Sequence, residues 1–164
     1  MISQKGQSLI EALIALGAAT LVVSAIAIAV ISAVNNADFS KYENLATHYA
    51  QQGIEILRQQ SQSNWSTFSG LADSCLGDDN VFVPGTQNCP LFQSDNTKPP
   101  PNVANFFIRQ IRLTPDVVVG SSCQGSVHGI VSVYWNDGKC PKNSYCHKVA
   151  IDSCFANINK VTPL

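Results

Sequence analysis

The chain of 164 residues is long enough for one modest globular domain and an additional segment, because single domains commonly contain about 100–150 residues. Charged residues make up only 13% of it, against roughly 25% in an average soluble domain, and the formal net charge is -1. This balance, with no basic cluster, excludes the electrostatic surface that nucleic-acid binding requires.

The first predicted element is an apolar helix. From Ala12 to Val34 no residue is charged, and the polar side chains are those of Thr20, Ser24 and Ser32. A helix of this length spans about 34 Å, enough to cross a hydrocarbon core of about 30 Å. No later segment resembles a second span, so we expect one membrane helix followed by one soluble head.

A single acidic residue, Glu11, lies at the edge of this apolar helix and follows Lys5 and Gly6. An ionised carboxylate within a membrane helix costs roughly 2.5–3.5 kcal/mol on insertion scales, so such a residue usually exists to meet a partner. The span itself contains no Lys, Arg or His that would serve.

The segment from Lys5 to Glu11, KGQSLIE, followed by ALIAL, resembles the processing motif of the type IV prepilin and pseudopilin family. In that family a membrane aspartyl peptidase cuts after the glycine and methylates the new amino terminus. The resemblance implies cleavage between Gly6 and Gln7. It also implies that Glu11 pairs with the amine of a neighbouring subunit during filament assembly. Major pilins usually carry phenylalanine at the position of Gln7, which favours a minor pilin or pseudopilin.

Two other interpretations of the N-terminus remain open. An ordinary signal peptide would use Lys5 as its charged region and cleave near Ala27 or Ala29, but its apolar region should contain about 7–15 residues and no glutamate. A plain membrane anchor would merely tolerate Glu11 near the interface. The prepilin interpretation is favoured because it gives the glutamate a partner.

The helix is predicted to continue beyond the membrane. Apolar residues recur there at three- and four-residue steps, which is typical of an amphipathic helix. We therefore assign residues 1–6 to a leader, 7–36 to a membrane or filament-core helix, and 37–60 to its amphipathic continuation. The residues of the stripe are Phe39, Tyr42, Leu45, Ala46, Tyr49, Gly53, Ile56 and Leu57.

The remainder of the chain is predicted to form an irregular region over 61–105 and an antiparallel sheet over 106–164. Three segments carry strand patterns, namely Phe106–Leu113, Val127–Trp135 and Tyr145–Phe155. The turn signal Asn136-Asp137-Gly138 separates the last two strands. The expected fold class is α+β, with a long N-terminal helix packed on a small antiparallel sheet in the lollipop shape of pilins.

Six cysteines lie in the head, an even number that is typical of a disulfide framework in an oxidising compartment. The competing interpretation is zinc, assisted by His128 or His147, but no C-x-x-C pair is present and the spacings fit no structural zinc signature. Disulfides are therefore favoured, and their pairing is left open, although Cys75 and Cys89 are placed to close a loop. The cysteines are Cys75, Cys89, Cys123, Cys140, Cys146 and Cys154.

No catalytic site is predicted. Asp78 and Asp79 offer oxygen ligands for calcium, but they lack the EF-hand pattern and are typical of a solvated turn. His147 beside Cys146 resembles a Cys-His nucleophile pair, yet adjacent strand residues point to opposite faces and an oxidised cysteine cannot attack. We expect no cofactor, no metal and no enzymatic activity.

These patterns together predict a minor pilin or pseudopilin subunit of a pilus, a type II secretion system or a DNA-uptake machine. Its expected partners are the prepilin peptidase, other subunits that contact its N-terminal helix, and the membrane. We expect a single-pass protein of the cytoplasmic membrane with an extracytoplasmic head, which then enters a periplasmic or surface filament. The alternative is a membrane-tethered extracytoplasmic binding domain that does not polymerise.

Overall fold

The structure, a computed structural model, describes residues 7–71, 73–84, 103–115, 123, 126–141 and 144–158. The chain divides into two compact units, Met1–Lys41 and Tyr42–Leu164. The elements in chain order are α1 (Gln7–Ser63), α2 (Trp65–Ser69), β1 (Ser74–Leu76), β2 (Phe82–Pro84), β3 (Ile108–Pro115), β4 (Val127–Trp135) and β5 (His147–Phe155).

The two helical segments predicted from the sequence form one α-helix, α1. It ends at Ser63 instead of the predicted Gln60. In the last turn, the hydroxyls of Ser61 and Ser63 donate to the carbonyls of Arg58 and Gln60 at 2.8 and 3.1 Å. Asn64 then caps α2 by accepting a hydrogen bond from the backbone N–H of Thr67.

The second unit contains a five-stranded antiparallel sheet in the order β2-β1-β3-β4-β5. The predicted strand Val127–Trp135 is confirmed without a shift, and the third strand begins at His147 instead of Tyr145. The first begins at Ile108 instead of Phe106, because Val103 and Phe107 exchange backbone hydrogen bonds in a tight turn before it. The α+β layout is thereby confirmed.

The prediction of irregular structure over 61–105 is wrong in its first half, which contains α2, β1 and β2. Both strands are only three residues long, too short to show an alternating pattern. β2 pairs with β1, and β1 also pairs with β3, far along the chain, with Cys75 opposite Gln110. The second half of the predicted region, 85–102, lies outside the described residues.

Within the second unit, the amphipathic part of α1 packs on one face of the sheet. Alternate residues of β4 are buried there, as the period-two pattern predicts. The helix approaches β4 closely at Gly53, where a Cβ atom would lie 2.8 Å from Cγ1 of Val131. The buried core contains Ala46, Ala50, Ile54, Leu57, Phe68, Leu76, Val103, Phe107, Ile111, Leu113, Val127, Val131, Val133, Trp135 and Phe155.

Candidate functional site: the apolar helix and the cysteine-bearing head

The N-terminal half of α1 presents apolar side chains on all sides. In the described part of the chain it is the one helix long and apolar enough to cross a membrane, with a mean hydropathy of 2.6, and none of that stretch is buried. Large aliphatic residues from Leu9 to Val34 are between 53% and 74% exposed. Burying such a surface is strongly favourable, so this helix is compatible with a membrane anchor.

The polar side chains along this helix divide into two kinds. The hydroxyls of Thr20 and Ser24 donate to the carbonyls of Gly17 and Thr20 at 2.8 and 2.7 Å, so they are satisfied within the helix. Glu11 is exposed, and no described residue forms an ion pair or hydrogen bond with it. Its carboxylate therefore depends on water, a lipid headgroup or another molecule.

The predicted cleavage site lies at the edge of what the structure describes. Gln7 is the first residue of α1, and residues 1–6, including Lys5 and Gly6, lie outside the described residues. Glu11 follows Gln7 by four residues, which is one helical turn. A cut before Gln7 would thus place a new amino group about one turn from the carboxylate.

The carboxylates of Asp78 and Asp79, the calcium candidates, act as acceptors for backbone groups. Asp78 Oδ2 accepts from the N–H of Ala104 at 2.8 Å, and Asp79 Oδ1 accepts from the N–H of Val81 at 3.1 Å. The first bond joins the turn after β1 to the turn before β3. Carboxylates that accept hydrogen bonds from nearby backbone N–H groups in this way stabilise turns.

The cysteines form disulfides in the described part of the chain. Cys123 is bonded to Cys154, joining the segment before β4 to the end of β5, with the two Cα atoms 5.3 Å apart. Cys140 is bonded to Cys146 across the β4–β5 connection, with Cα atoms 5.4 Å apart. Cys75 is also oxidised, whereas Cys89 lies outside the described residues, so the proposed Cys75–Cys89 loop stays a prediction.

The β4–β5 connection brings together four side chains that are not all adjacent in the sequence. Potential metal-binding atoms of Asp137, Cys140, Cys146 and His147 all lie within 4.8 Å of one another. Cys146 and His147 are not neighbours on one strand with side chains on opposite faces, as the sequence predicted, because β5 begins at His147 and Cys146 belongs to the preceding loop. The turn signal at 136–138 and the adjacent Cys146 and His147 are the sequence features that indicate parts of this cluster.

Arg109 is a buried residue that the sequence did not single out. Its side chain is fully buried, and its guanidinium donates to the carbonyls of Leu76, Gly77 and Tyr49 at 3.0, 2.8 and 3.3 Å and to Gln52 Oε1 at 3.0 Å. Burial lowers the pKa of this guanidinium, an effect that nearby Asp78 opposes. Arg109 thus joins α1, the end of β1 and β3 through hydrogen bonds.

The chain matches none of the protein families, curated proteins or solved structures with which we compared it.

Proposed function

We propose that the chain is a minor pilin or pseudopilin, cleaved after Gly6 by a prepilin peptidase and assembled through α1 into a type IV pilus-like filament. The observation that carries the proposal is Glu11, an acidic residue on an exposed apolar helix with no partner among the described residues. A carboxylate in an apolar environment is costly unless an opposite charge compensates it.

The apolar surface of α1 supports assembly as well as anchoring. Lipid covers this surface while the subunit is in the membrane, and the helices of neighbouring subunits cover it in a filament. In either environment the effective dielectric constant falls, which strengthens the attraction between Glu11 and the amino group that processing creates. The glutamate therefore favours assembly into a filament over a plain membrane anchor, in which an acidic residue within the helix has no role.

The oxidised cysteines support the proposed orientation of the protein in the membrane, with the head outside the cytoplasm. Disulfides persist in oxidising compartments, so a head with bonded Cys123–Cys154 and Cys140–Cys146 belongs outside the cytoplasm. Lys5, before the span, belongs on the cytoplasmic side according to the positive-inside rule. In this proposal the protein spans the cytoplasmic membrane once before it enters the filament.

The mature N-terminus distinguishes this proposal from its rivals. Mass spectrometry of the protein isolated from its native membranes should identify an N-methylated Gln7 as the first residue. An intact Met1 would instead identify a tethered, unpolymerised domain. A start near Ile28 or Val30 would identify a secreted protein released by signal peptidase.

Glu11→Ala tests the assembly step. Charge pairs at close range contribute about 1.5 kcal/mol or more, so the variant should be cleaved and inserted normally while its share in the sheared filament fraction falls at least about tenfold. Glu11→Gln should behave similarly, because it preserves size and removes charge.

Glu43→Ala is the matched control, because Glu43 is another exposed glutamate on α1, outside the apolar span. Its incorporation should equal that of the parent. Normal incorporation of Glu11→Ala, or equal losses in the Glu11 and Glu43 variants, would contradict the proposed pairing.

A further inference from the structure

The β4–β5 connection gathers four side chains whose chemistry suits a transition metal. Asp137, Cys140, Cys146 and His147 contribute a carboxylate oxygen, two sulfurs and an imidazole nitrogen, all within 4.8 Å of one another. In the structure the two sulfurs are joined as a disulfide. Reduction would turn them into two thiols without moving the donors to different parts of the fold.

The turn after β4 fixes the carboxylate. Gly138 has a φ of 84°, a left-handed conformation that glycine adopts readily, and its N–H donates to Asn136 Oδ1 at 2.7 Å. The N–H of Lys139 donates to Asp137 Oδ1 at 3.0 Å. This hydrogen bond holds the carboxylate in place beside the turn.

Contacts within the head also hold the imidazole of His147 and the sulfur of Cys140 in place. The ring of His147 stacks on buried Trp135 with centroids 5.3 Å apart, and its Nε2 lies 3.2 Å from Asp137 Oδ1. The N–H of Cys146 donates to Cys140 Sγ at 3.2 Å, a contact that would stabilise a thiolate at that sulfur. Each donor is therefore held by the scaffold, as a metal site requires.

We propose that reduction of the Cys140–Cys146 disulfide creates a zinc site formed by Asp137, Cys140, Cys146 and His147. A dithiol donor gives two electrons and two protons to the disulfide, which becomes two thiols while the donor becomes a disulfide. Zinc then displaces both thiol protons to solvent and bonds to the two thiolates, the imidazole and the carboxylate. Reduction therefore creates the zinc site, and oxidation of the two thiols to the disulfide removes it.

The distances and the donor set favour zinc over other cations. Bonds of about 2.3 Å to sulfur and about 2.0 Å to nitrogen place the ligands of tetrahedral zinc roughly 3.3–3.8 Å apart. The two sulfurs, bonded at 2.03 Å, would move apart after reduction, and the other donors already lie within 4.8 Å of them. Calcium and magnesium prefer oxygen ligands and would gain little from two thiolates and an imidazole.

The Cys140–Cys146 disulfide is accessible to a reductant, because Cys146 is exposed and Cys140 is half-buried. In the Cys123–Cys154 disulfide, Cys154 is exposed and Cys123 is only 5% exposed. Attack on a disulfide requires access to a sulfur atom, so the preparation reduced at Cys140–Cys146 alone has to be identified by mapping the free thiols.

The experiment uses the full chain in nonionic detergent, reduced stepwise with a water-soluble phosphine. Alkylation and peptide mapping identify the preparation in which only Cys140 and Cys146 are free. Cobalt(II) is then titrated in, followed by zinc in competition with a chromophoric chelator. We expect one cobalt per chain, with the visible bands of a tetrahedral ion and a thiolate-to-cobalt band, no binding by the oxidised protein, and displacement by zinc.

Variants test the ligand set. Asp137→Asn and His147→Gln should each weaken zinc binding at least about tenfold, and Cys140→Ser with Cys146→Ser should abolish it. The matched control is the pair His128 and Asp152 on the same hairpin, whose Nε2 and Oδ2 also lie 3.2 Å apart. His128→Gln and Asp152→Asn should bind zinc as the parent does.

Three results would overturn the proposal. They are failure of the reduced protein to bind cobalt or zinc one to one, equal binding by the oxidised protein, and parent affinity in the Asp137 and His147 variants. Circular dichroism of each variant before titration ensures that a loss of binding is measured on folded protein.

Discussion

Replacing Arg109 by methionine removes the hydrogen bonds that join α1, β1 and β3 while keeping a side chain of similar length. The carbonyls of buried Leu76 and half-buried Gly77 would lose donors at 3.0 and 2.8 Å, and a buried acceptor left without a partner costs about 1–3 kcal/mol. Removing a charge whose burial is itself unfavourable offsets part of this loss. We expect Arg109→Met to lower the free energy of unfolding by about 2–4 kcal/mol.

The assay is chemical denaturation of the full chain in nonionic detergent, followed by the fluorescence of buried Trp135. Arg112→Met is the matched control, because Arg112 lies on the same strand but is 57% exposed and pairs with partly exposed Asp73. Such a surface pair contributes about 0–1 kcal/mol. Equal denaturation midpoints for Arg109→Met and Arg112→Met would refute the view that the buried guanidinium organises the head.

Two further changes test the packing and the covalent links of the head. Alanine normally stabilises a helix relative to glycine, but Gly53→Ala should destabilise the head by about 1–3 kcal/mol because the new Cβ would lie 2.8 Å from Val131 Cγ1. Gly17→Ala, with no atom within 4 Å, should leave the unfolding midpoint of the head unchanged, and equal shifts would contradict the close approach. Chain-entropy arguments give about 3.7 kcal/mol for Cys123–Cys154 and about 2.2 kcal/mol for Cys140–Cys146, whose sequence separations are 31 and 6. Double serine variants should therefore differ in unfolding midpoint in that order, and the reverse order would contradict it.

The elements that the sequence predicted well are those whose pattern is local and long. The bounds of β4 followed from nine residues of alternation, and α1 followed from an apolar span and a stripe with helical spacing. The turn at Asn136-Asp137-Gly138 followed from its residue types, and the positive φ of Gly138 is the conformation that such a turn uses.

The features that the sequence did not predict depend on contacts between distant residues. β1 and β2 contain three residues each; β2 pairs with β1, and β1 pairs with β3, far along the chain. The hydrogen-bond partners named above for Arg109 lie 32 to 60 residues away, and Leu76, Gly77 and Tyr49 contribute backbone carbonyls, which carry no signal in the sequence. Likewise, the four donors of the β4–β5 connection meet because the hairpin folds back, a geometry that ligand spacing alone does not specify.

A charged side chain in an apolar environment needs a compensating group, and Arg109 and Glu11 differ in where that group is found. The buried guanidinium is compensated by groups of its own chain, so its effect should appear as stability of the head. The carboxylate of Glu11 has no such compensation from the described residues, so in an apolar environment its effect should appear as association with another molecule. The two variants should therefore change different quantities. Arg109→Met should lower the unfolding midpoint of the head, whereas Glu11→Ala should lower filament incorporation and leave that midpoint unchanged. A Glu11→Ala subunit whose head unfolded at lower denaturant would show that the glutamate supports the fold of its own chain, and the assembly argument would fail.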